Sequence, residues 1–351
     1  MIHKAERIIH PGQRTYFIAE VSANHNQSFE RALAIIHAAK EAGADAVKIQ
    51  TYTADTITID SDKEYFLIKG TLWDGMTLHQ LYRDAYTPWE WQPKIKEVVE
   101  NLGMDFLSSP FDPTAVTFLE SIGVAAYKVA SPEIIDIPLL RLIGSTRKPV
   151  IMSTGMATLS EIDEAVRTLR DCGTIELLLM KCTSAYPAPA SEMNLRTMPH
   201  MAQSFGVPVG LSDHTMGHEV ALAAVALGAC AIEKHFTLAR SDGGLDSGFS
   251  MEPAEFKAMV DAVRIVERAV GKIHYQPSPN EVAARLYRRS LFVVSDLKAG
   301  EVITEDKVRS IRPGHGLHPR YLPDILGRCV RRDVEKGTPF SWGMLDHSLA
   351  T

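Results

Sequence analysis

The chain runs to 351 residues, 45% hydrophobic and 23% charged, with a net charge of −6. Those are the proportions of an ordinary globular protein, long enough for one large domain and a smaller one. With no basic block and no run near the roughly 20 apolar residues of a membrane helix, they argue against a nucleic-acid binder and a membrane span.

In chain order, short apolar runs alternate with amphipathic stretches. The strand candidates are Tyr16–Val21, Ala46–Gln50, Asp105–Ser109, Ala126–Ala130, Val150–Ser153, Leu177–Cys182, Val207–Leu211 and Ala231–Lys234. Between most of them sit segments of helical period, such as Phe29–Ala42, Thr158–Asp171 and Glu219–Leu227. Eight strands alternating with eight helices predict an α/β fold, a (β/α)8 TIM barrel of roughly 250 residues. Tyr52–Pro88 is too long for a simple βα connection and rich in aromatic and polar residues, so it reads as an excursion facing the substrate. The last barrel helix is expected over Pro253–Val270. From Arg288 the texture changes to short strands, Ser290–Val294 and Val308–Arg312, with charged turns at Lys298-Ala-Gly-Glu and Glu335-Lys-Gly-Thr-Pro. So small a β-rich domain is expected to hold little core alone and to dock on something. The expected division is a barrel over 1–272, a linker over 273–287 and the small domain over 288–351. Cys172, Cys182, Cys230 and Cys329 show no paired short spacing, and no apolar stretch follows the charges at the start, so a reduced, cytoplasmic protein is expected.

The C-terminal ends of barrel strands meet at one face and must be read together. They carry Glu20, Lys48 and Gln50, Ser108 and Ser109, Lys128, Ser131 and Glu133, Ser153, Ser184 and Tyr186, Ser212 and His214, and Glu233 and His235. Each alone has a plain explanation. Lys48 in Val-Lys-Ile-Gln reads as an outward surface residue, Ser153-Thr-Gly as the cap of the next helix, and either histidine as a structural hydrogen-bonded side chain. Eight strands all ending polar are harder to explain that way. Two lysines with several serines describe a phosphate or carboxylate pocket. Two histidines with a carboxylate describe an open divalent-metal site.

Ile18-Ala-Glu-Val-Ser-Ala-Asn-His, Val47-Lys-Ile-Gln-Thr, Lys128-Val-Ala-Ser-Pro-Glu, Ser153-Thr-Gly-Met, Gly210-Leu-Ser-Asp-His-Thr and Glu233-Lys-His-Phe-Thr resemble the sialic acid synthase family. Arg288-Arg-Ser-Leu-Phe and Ile311-Arg-Pro-Gly-His-Gly resemble its C-terminal antifreeze-like (SAF) domain, so the resemblance covers nearly the whole chain. It implies condensation of phosphoenolpyruvate with an open-chain amino-sugar aldehyde to a nine-carbon sugar acid and phosphate. Gly70-Thr-Leu-Trp-Asp-Gly-Met-Thr-Leu-His-Gln-Leu-Tyr, Tyr86-Thr-Pro-Trp-Glu-Trp, Cys182-Thr-Ser-Ala-Tyr-Pro and Arg312-Pro-Gly-His-Gly-Leu-His-Pro resemble the pseudaminic acid synthase branch. Sialic acid synthases usually carry Asn where this chain has Ser184. The sugar then implied is 2,4-diacetamido-2,4,6-trideoxy-L-altrose, and Trp73 and Tyr82 would suit its 6-deoxy methyl and acetamido groups.

The resemblance further implies that His214 and His235 bind Mn²⁺, or Mg²⁺ or Co²⁺ in its place, with Glu20 near the metal's water and either Glu20 or a metal-bound water handling a proton. Phosphoenolpyruvate would meet Lys48, Lys128, Ser131, Ser153 and Ser212, with Ser109 beside them; Asp246, Tyr186 and Glu133 would hold the sugar, and Ser184 would also contact substrate. Arg312 is expected to reach the barrel of a second subunit, which implies a domain-swapped homodimer. In this branch the product usually decorates flagellin or a surface polysaccharide. The rival readings are synthesis of N-acetylneuraminate or legionaminate and, more distantly, a non-catalytic carbohydrate-binding protein.

Overall fold

The computed structural model of the chain describes residues 2–4 and 7–346, and these fall into two compact units divided after Gly271. The last five positions of the expected small domain lie outside the described residues. After a short hairpin pairing Ile2–Lys4 with Arg7–Ile9, the first unit is a barrel-like sheet of eight parallel strands. These are β1 (Tyr16–Glu20), β2 (Ala46–Thr51), β3 (Asp105–Pro110), β4 (Tyr127–Val129), β5 (Val150–Ser153), β6 (Leu177–Cys182), β7 (Val209–Asp213) and β8 (Ala231–His235). The hydrogen-bonded order is β3-β2-β1-β8-β7-β6-β5-β4, so the first and last strands pair, and β3 and β4 stand side by side at the seam. Among the described residues no helix is long and apolar enough to cross a membrane.

Alternation along each strand explains where the chemistry goes. Phe17, Ala19, Val47, Ile49, Phe106 and Ile232 face outward and pack under the surrounding helices. The inward set begins apolar, with Tyr16, Ile18, Ala46, Leu107, Ile151, Leu178 and Ala231 filling the lower barrel. Two or four residues further along the same faces come Glu20, Lys48, Ser109, Ser153, Cys182 and Glu233. The inner face therefore turns from packing to polar chemistry within one pleat repeat. Register brings these positions level: Glu20 pairs with both Lys48 and His235, and Ser212 with both Cys182 and Glu233.

Two elements differ from the sequence reading. The seventh strand runs Val209–Asp213 rather than 207–211, because Pro208 has no N–H for the ladder while Ser212 and Asp213 pair with Cys182 and Lys234. The expected linker holds a capped helix, Pro279–Ala284, whose Ser278 hydroxyl accepts from the Glu281 N–H. The helix before it spans Pro253–Val270, as expected.

In the second unit, β9 (Ser290–Val293) and β10 (Val308–Ile311) pair antiparallel, and further bridges join Leu297 to Val334 and Val330 to Leu345. Leu291, Val293, Ile303, Val308, Ile325 and Phe340 form a core of its own, so this unit carries more internal packing than its size suggests.

On the outer face of β8, Lys234 is 2% exposed. Its ammonium donates to Asp213 Oδ2 at 2.9 Å and to the Thr215 carbonyl at 2.6 Å, while Asp213 Oδ1 accepts from the Thr215 N–H and hydroxyl. That network ties the end of β7 to β8 on both sides of His214. Removing one partner of a buried pair leaves the other charge uncompensated. Asp213→Ala is expected to lower the unfolding free energy by about 3–5 kcal/mol, read from urea denaturation.

Candidate active site

At the C-terminal ends of the strands lies a cavity of about 260 Å³. Its floor is a buried charge cluster. Glu20 Oε2 lies 3.0 Å from Lys48 Nζ, which lies 3.5 Å from Glu233 Oε1; the same oxygen lies 3.9 Å from Lys128 Nζ. Gln50 Nε2 donates to Glu20 Oε1 and Ser22 Oγ, both at 3.0 Å, and Ser212 donates to Glu233 Oε1 at 3.1 Å. Lys128 donates to Ser153 Oγ at 2.6 Å.

Burial pushes Glu20 up to about 7, against the pull of Lys48 and with help from Glu233. Burial alone would lower Lys48, but Glu20 and Glu233 outweigh it and hold the ammonium up at about 12. Lys128 stays lowered, mainly by burial, with Lys48 adding to the effect. A bound anion beside Lys128 would offset that lowering, which is what a phosphate or carboxylate site requires.

Above the floor stand His214 and His235, ring centroids 5.3 Å apart. His214 Nδ1 lies 3.1 Å from the Thr183 carbonyl, which can only accept, so Nδ1 carries a proton; burial alone would lower this ring, but Cys182 and that carbonyl outweigh it and raise it. Burial holds His235 well below its ordinary value and therefore neutral. Its Nδ1 is buried without a hydrogen-bond partner, 3.8 Å from Asp246 Oδ2. Two imidazoles on one cavity wall, one of them with an unpartnered ring nitrogen, are a donor set that suits a divalent cation. Among the described residues no third His, Cys, Asp or Glu joins them in a ready-made cluster, so such an ion would keep open positions for water and substrate.

The cavity wall gathers Lys48, Lys128, Ser131, Ser153, Tyr186, Ser212, His214, His235 and Asp246 of the expected set. Lys48, read from sequence as outward-facing, is 4% exposed inside the barrel, because Val47 and Ile49 take the outer face. Ser153-Thr-Gly is not a helix cap; the next helix is capped by Thr158. The turn serves the site instead. The Gly155 N–H donates to Ser131 Oγ at 3.0 Å, and a Cβ there would strike Ser184 Oγ and come within 2.7 Å of Ser131 Oγ. Glu20 is not among the lining residues and meets the site through its ion pair to Lys48.

Ser109, Ser184 and Glu133 stand outside the lining set. Ser109 is fully buried with its hydroxyl unpartnered, and Ser184 Oγ lies 3.7 Å from Cys182 Sγ. Glu133 is half-buried with Oε2 unpartnered. Arg312 belongs to the second unit, exposed just after β10. The sequence reading puts Glu233 and Gln50 at strand ends but gives them no role; their placement beside His235 and Lys48 at period two is the signal that marks them. Tyr52, at the start of the expected excursion, also lines the cavity, as do Cys182, Ser22, Phe111 and Phe249, which only the assembled fold reveals.

Burial pushes the Glu133 carboxyl up to about 7, with Asp136 adding to the rise and Lys128 and Lys48 opposing it. The folded protein thus holds this proton more tightly than the unfolded chain, whose carboxyl sits near 4.5. Its contribution to stability is full below the unfolded value and is lost as pH rises through about 7. Glu133→Gln is expected to be more stable than the parent chain at pH 8 by on the order of 2–3 kcal/mol in urea unfolding, the gap closing toward pH 5.

Residues 35–275 match the NeuB family and residues 288–346 match the SAF domain. The chain is 46% identical to a pseudaminic acid synthase of Campylobacter jejuni, over 93% of this chain and 95% of that protein. It is 41% identical to a pseudaminic acid synthase of Helicobacter pylori, over 95% and 98% of the two chains. Its structure superposes on the N-acetylneuraminic acid (sialic acid) synthetase of Leptospira borgpetersenii, crystallised with citrate, with a TM-score of 0.73 and 30% identity over 81% of this chain and 94% of that one. A barrel whose inner strand ends carry paired lysines and paired histidines, joined in sequence to a SAF domain, therefore belongs to the NeuB family of sialic acid synthases.

Proposed function

We propose that this chain catalyses the pseudaminic acid synthase reaction, condensing phosphoenolpyruvate with 2,4-diacetamido-2,4,6-trideoxy-L-altrose and water to give pseudaminate and phosphate. The observation that carries this reading is the Lys48–Glu233–Lys128 floor directly beneath His214 and His235, in a chain 41–46% identical to pseudaminic acid synthases. Lys48 and Lys128 meet the phosphate and carboxylate of phosphoenolpyruvate as point charges, and Ser131, Ser153 and Ser212 orient them, with Ser184 and Ser109 behind. Asp246, Tyr186 and Glu133 hold the sugar. His214 and His235 would hold a divalent ion, Mn²⁺ first and Mg²⁺ or Co²⁺ as substitutes, whose chemistry is to polarise the aldehyde oxygen.

The phosphoenolpyruvate methylene carbon bonds to the aldehyde carbon, and the aldehyde oxygen takes a proton. Positive character develops at the enol carbon. Water adds there and loses a proton; the hydroxyl so formed becomes the ketone carbonyl as the C–O bond to phosphate breaks, its proton leaving with the phosphate. Glu20, held at about 7, can carry a proton in either direction near neutral pH. The enzyme works in the cytoplasm as a domain-swapped homodimer in which Arg312 reaches the partner's sugar, and its product supplies flagellin glycosylation.

Metal-stripped protein is expected to release no phosphate from phosphoenolpyruvate until Mn²⁺ is returned, and then only with the trideoxy-altrose. Release with N-acetylmannosamine or the legionaminic precursor alone would reassign the sugar to N-acetylneuraminate or legionaminate synthesis. No release, with sugar binding intact, would favour a carbohydrate-binding protein. Arg312→Ala and His214→Ala, each inactive alone, are expected to regain activity when their subunits are mixed, since one site of the mixed dimer is then whole.

A further inference from the structure

We infer that the excursion over 52–88 is the wall that selects the sugar, and that Trp73, with Tyr52 and Tyr82, does so by offering an apolar face to methyl groups. This rests on the reaction proposed above and adds the residues that choose its acceptor. The side chains that the excursion lends to the cavity are Tyr52, Trp73, Leu81, Tyr82 and Ala85, with no charge and no amide among them. The floor of the same cavity is charged. One cavity thus has a polar end for an anion and an aromatic end for something much less polar.

Trp73 is the fixed point of that wall. Its Nε1 donates to the Leu245 carbonyl at 3.0 Å, so its one donor is already used and cannot serve a sugar hydroxyl. Its ring lies 6.0 Å from that of Tyr186, which in turn lies 4.4 Å from His214. The indole therefore reaches toward the imidazoles along an unbroken aromatic row, and its anchor is the residue before Asp246. Across the cavity Tyr52 is braced by Phe111 at 5.1 Å and Tyr82 at 5.6 Å. A hydroxyl pressed against this row gives up its water partner without replacement, whereas a methyl group keeps its contacts. One such group is worth about 10–200-fold in discrimination at an apolar site.

The test measures kcat/KM for the trideoxy-altrose and for N-acetylmannosamine at saturating phosphoenolpyruvate, with calorimetric Kd values for both sugars. Trp73→Ala is expected to cut the preference for the deoxy sugar by about 10–100-fold while KM for phosphoenolpyruvate stays within about twofold. Trp73→Phe keeps an apolar ring without the donor and is expected to hold the preference within a few-fold; Tyr82→Leu serves if Trp73→Ala does not fold, and is expected to weaken it in the same direction. An unchanged preference, or a rise in KM for phosphoenolpyruvate that matches the loss for sugar, overturns the inference. So does a Trp73→Phe as damaged as Trp73→Ala, since the bond to Leu245 would then be what matters. Phosphate release with a preference that Trp73→Ala leaves intact sinks the wall and keeps the reaction. A binding preference lost in Trp73→Ala, in protein that never releases phosphate, does the reverse.

Discussion

Glu20, Lys48, Lys128 and Glu233 come from β1, β2, β4 and β8, and each is almost wholly removed from water. None of them is stable as an isolated charge in that place, so the four strand ends must arrive together for the barrel to close over them. The register sets Glu20 opposite Lys48 on one side and His235 on the other, with Glu233 one pleat repeat before His235 on the same face. Everything above the floor inherits its position from this constraint. The histidines sit where β7 and β8 end, and the serines of β4, β5 and β7 ring the lysines. The arrangement is a poor way to gain stability and a good way to prepare a site. The carboxylates hold Lys48 charged but leave Lys128 lowered by burial, and an incoming anion would complete the set.

The two faces of β8 divide the labour. Inward, Glu233 and His235 belong to the cavity. Outward, Lys234 closes a separate ion pair with Asp213 and a hydrogen bond to the Thr215 carbonyl. His214 lies between those two anchoring residues, so the outer network holds the backbone that presents one imidazole, while the Thr183 carbonyl orients its ring. Supporting bonds of this kind fix a donor to within the narrow tolerance that ligand geometry demands.

The contrast between floor and wall reflects two kinds of backbone. The floor stands on strands, where the pleat sets each side chain. The wall comes largely from the long excursion after β2, held by single contacts such as the Trp73 indole to Leu245, 172 residues away in the chain. Strands give the invariant half of such a chemistry its precision; a loop can be recast without disturbing the barrel.

Much of this was legible in the residues. The alternation of strand and helix, the polar strand ends and the ordered motifs were enough to announce a barrel, an anion pocket and a pair of histidines, because period and local composition are properties of the chain itself. They could not say which face of Val47-Lys-Ile-Gln points inward, since a barrel strand is buried on both faces and reads as nearly continuous apolar sequence. Lys48 was thus ambiguous until Val47 and Ile49 were seen against the helices. Glu233 was visible but without a role, and Phe111 and Phe249 had no signal at all. Their meaning depends on neighbours brought close only by closure of the sheet, so the tertiary structure alone could decide it.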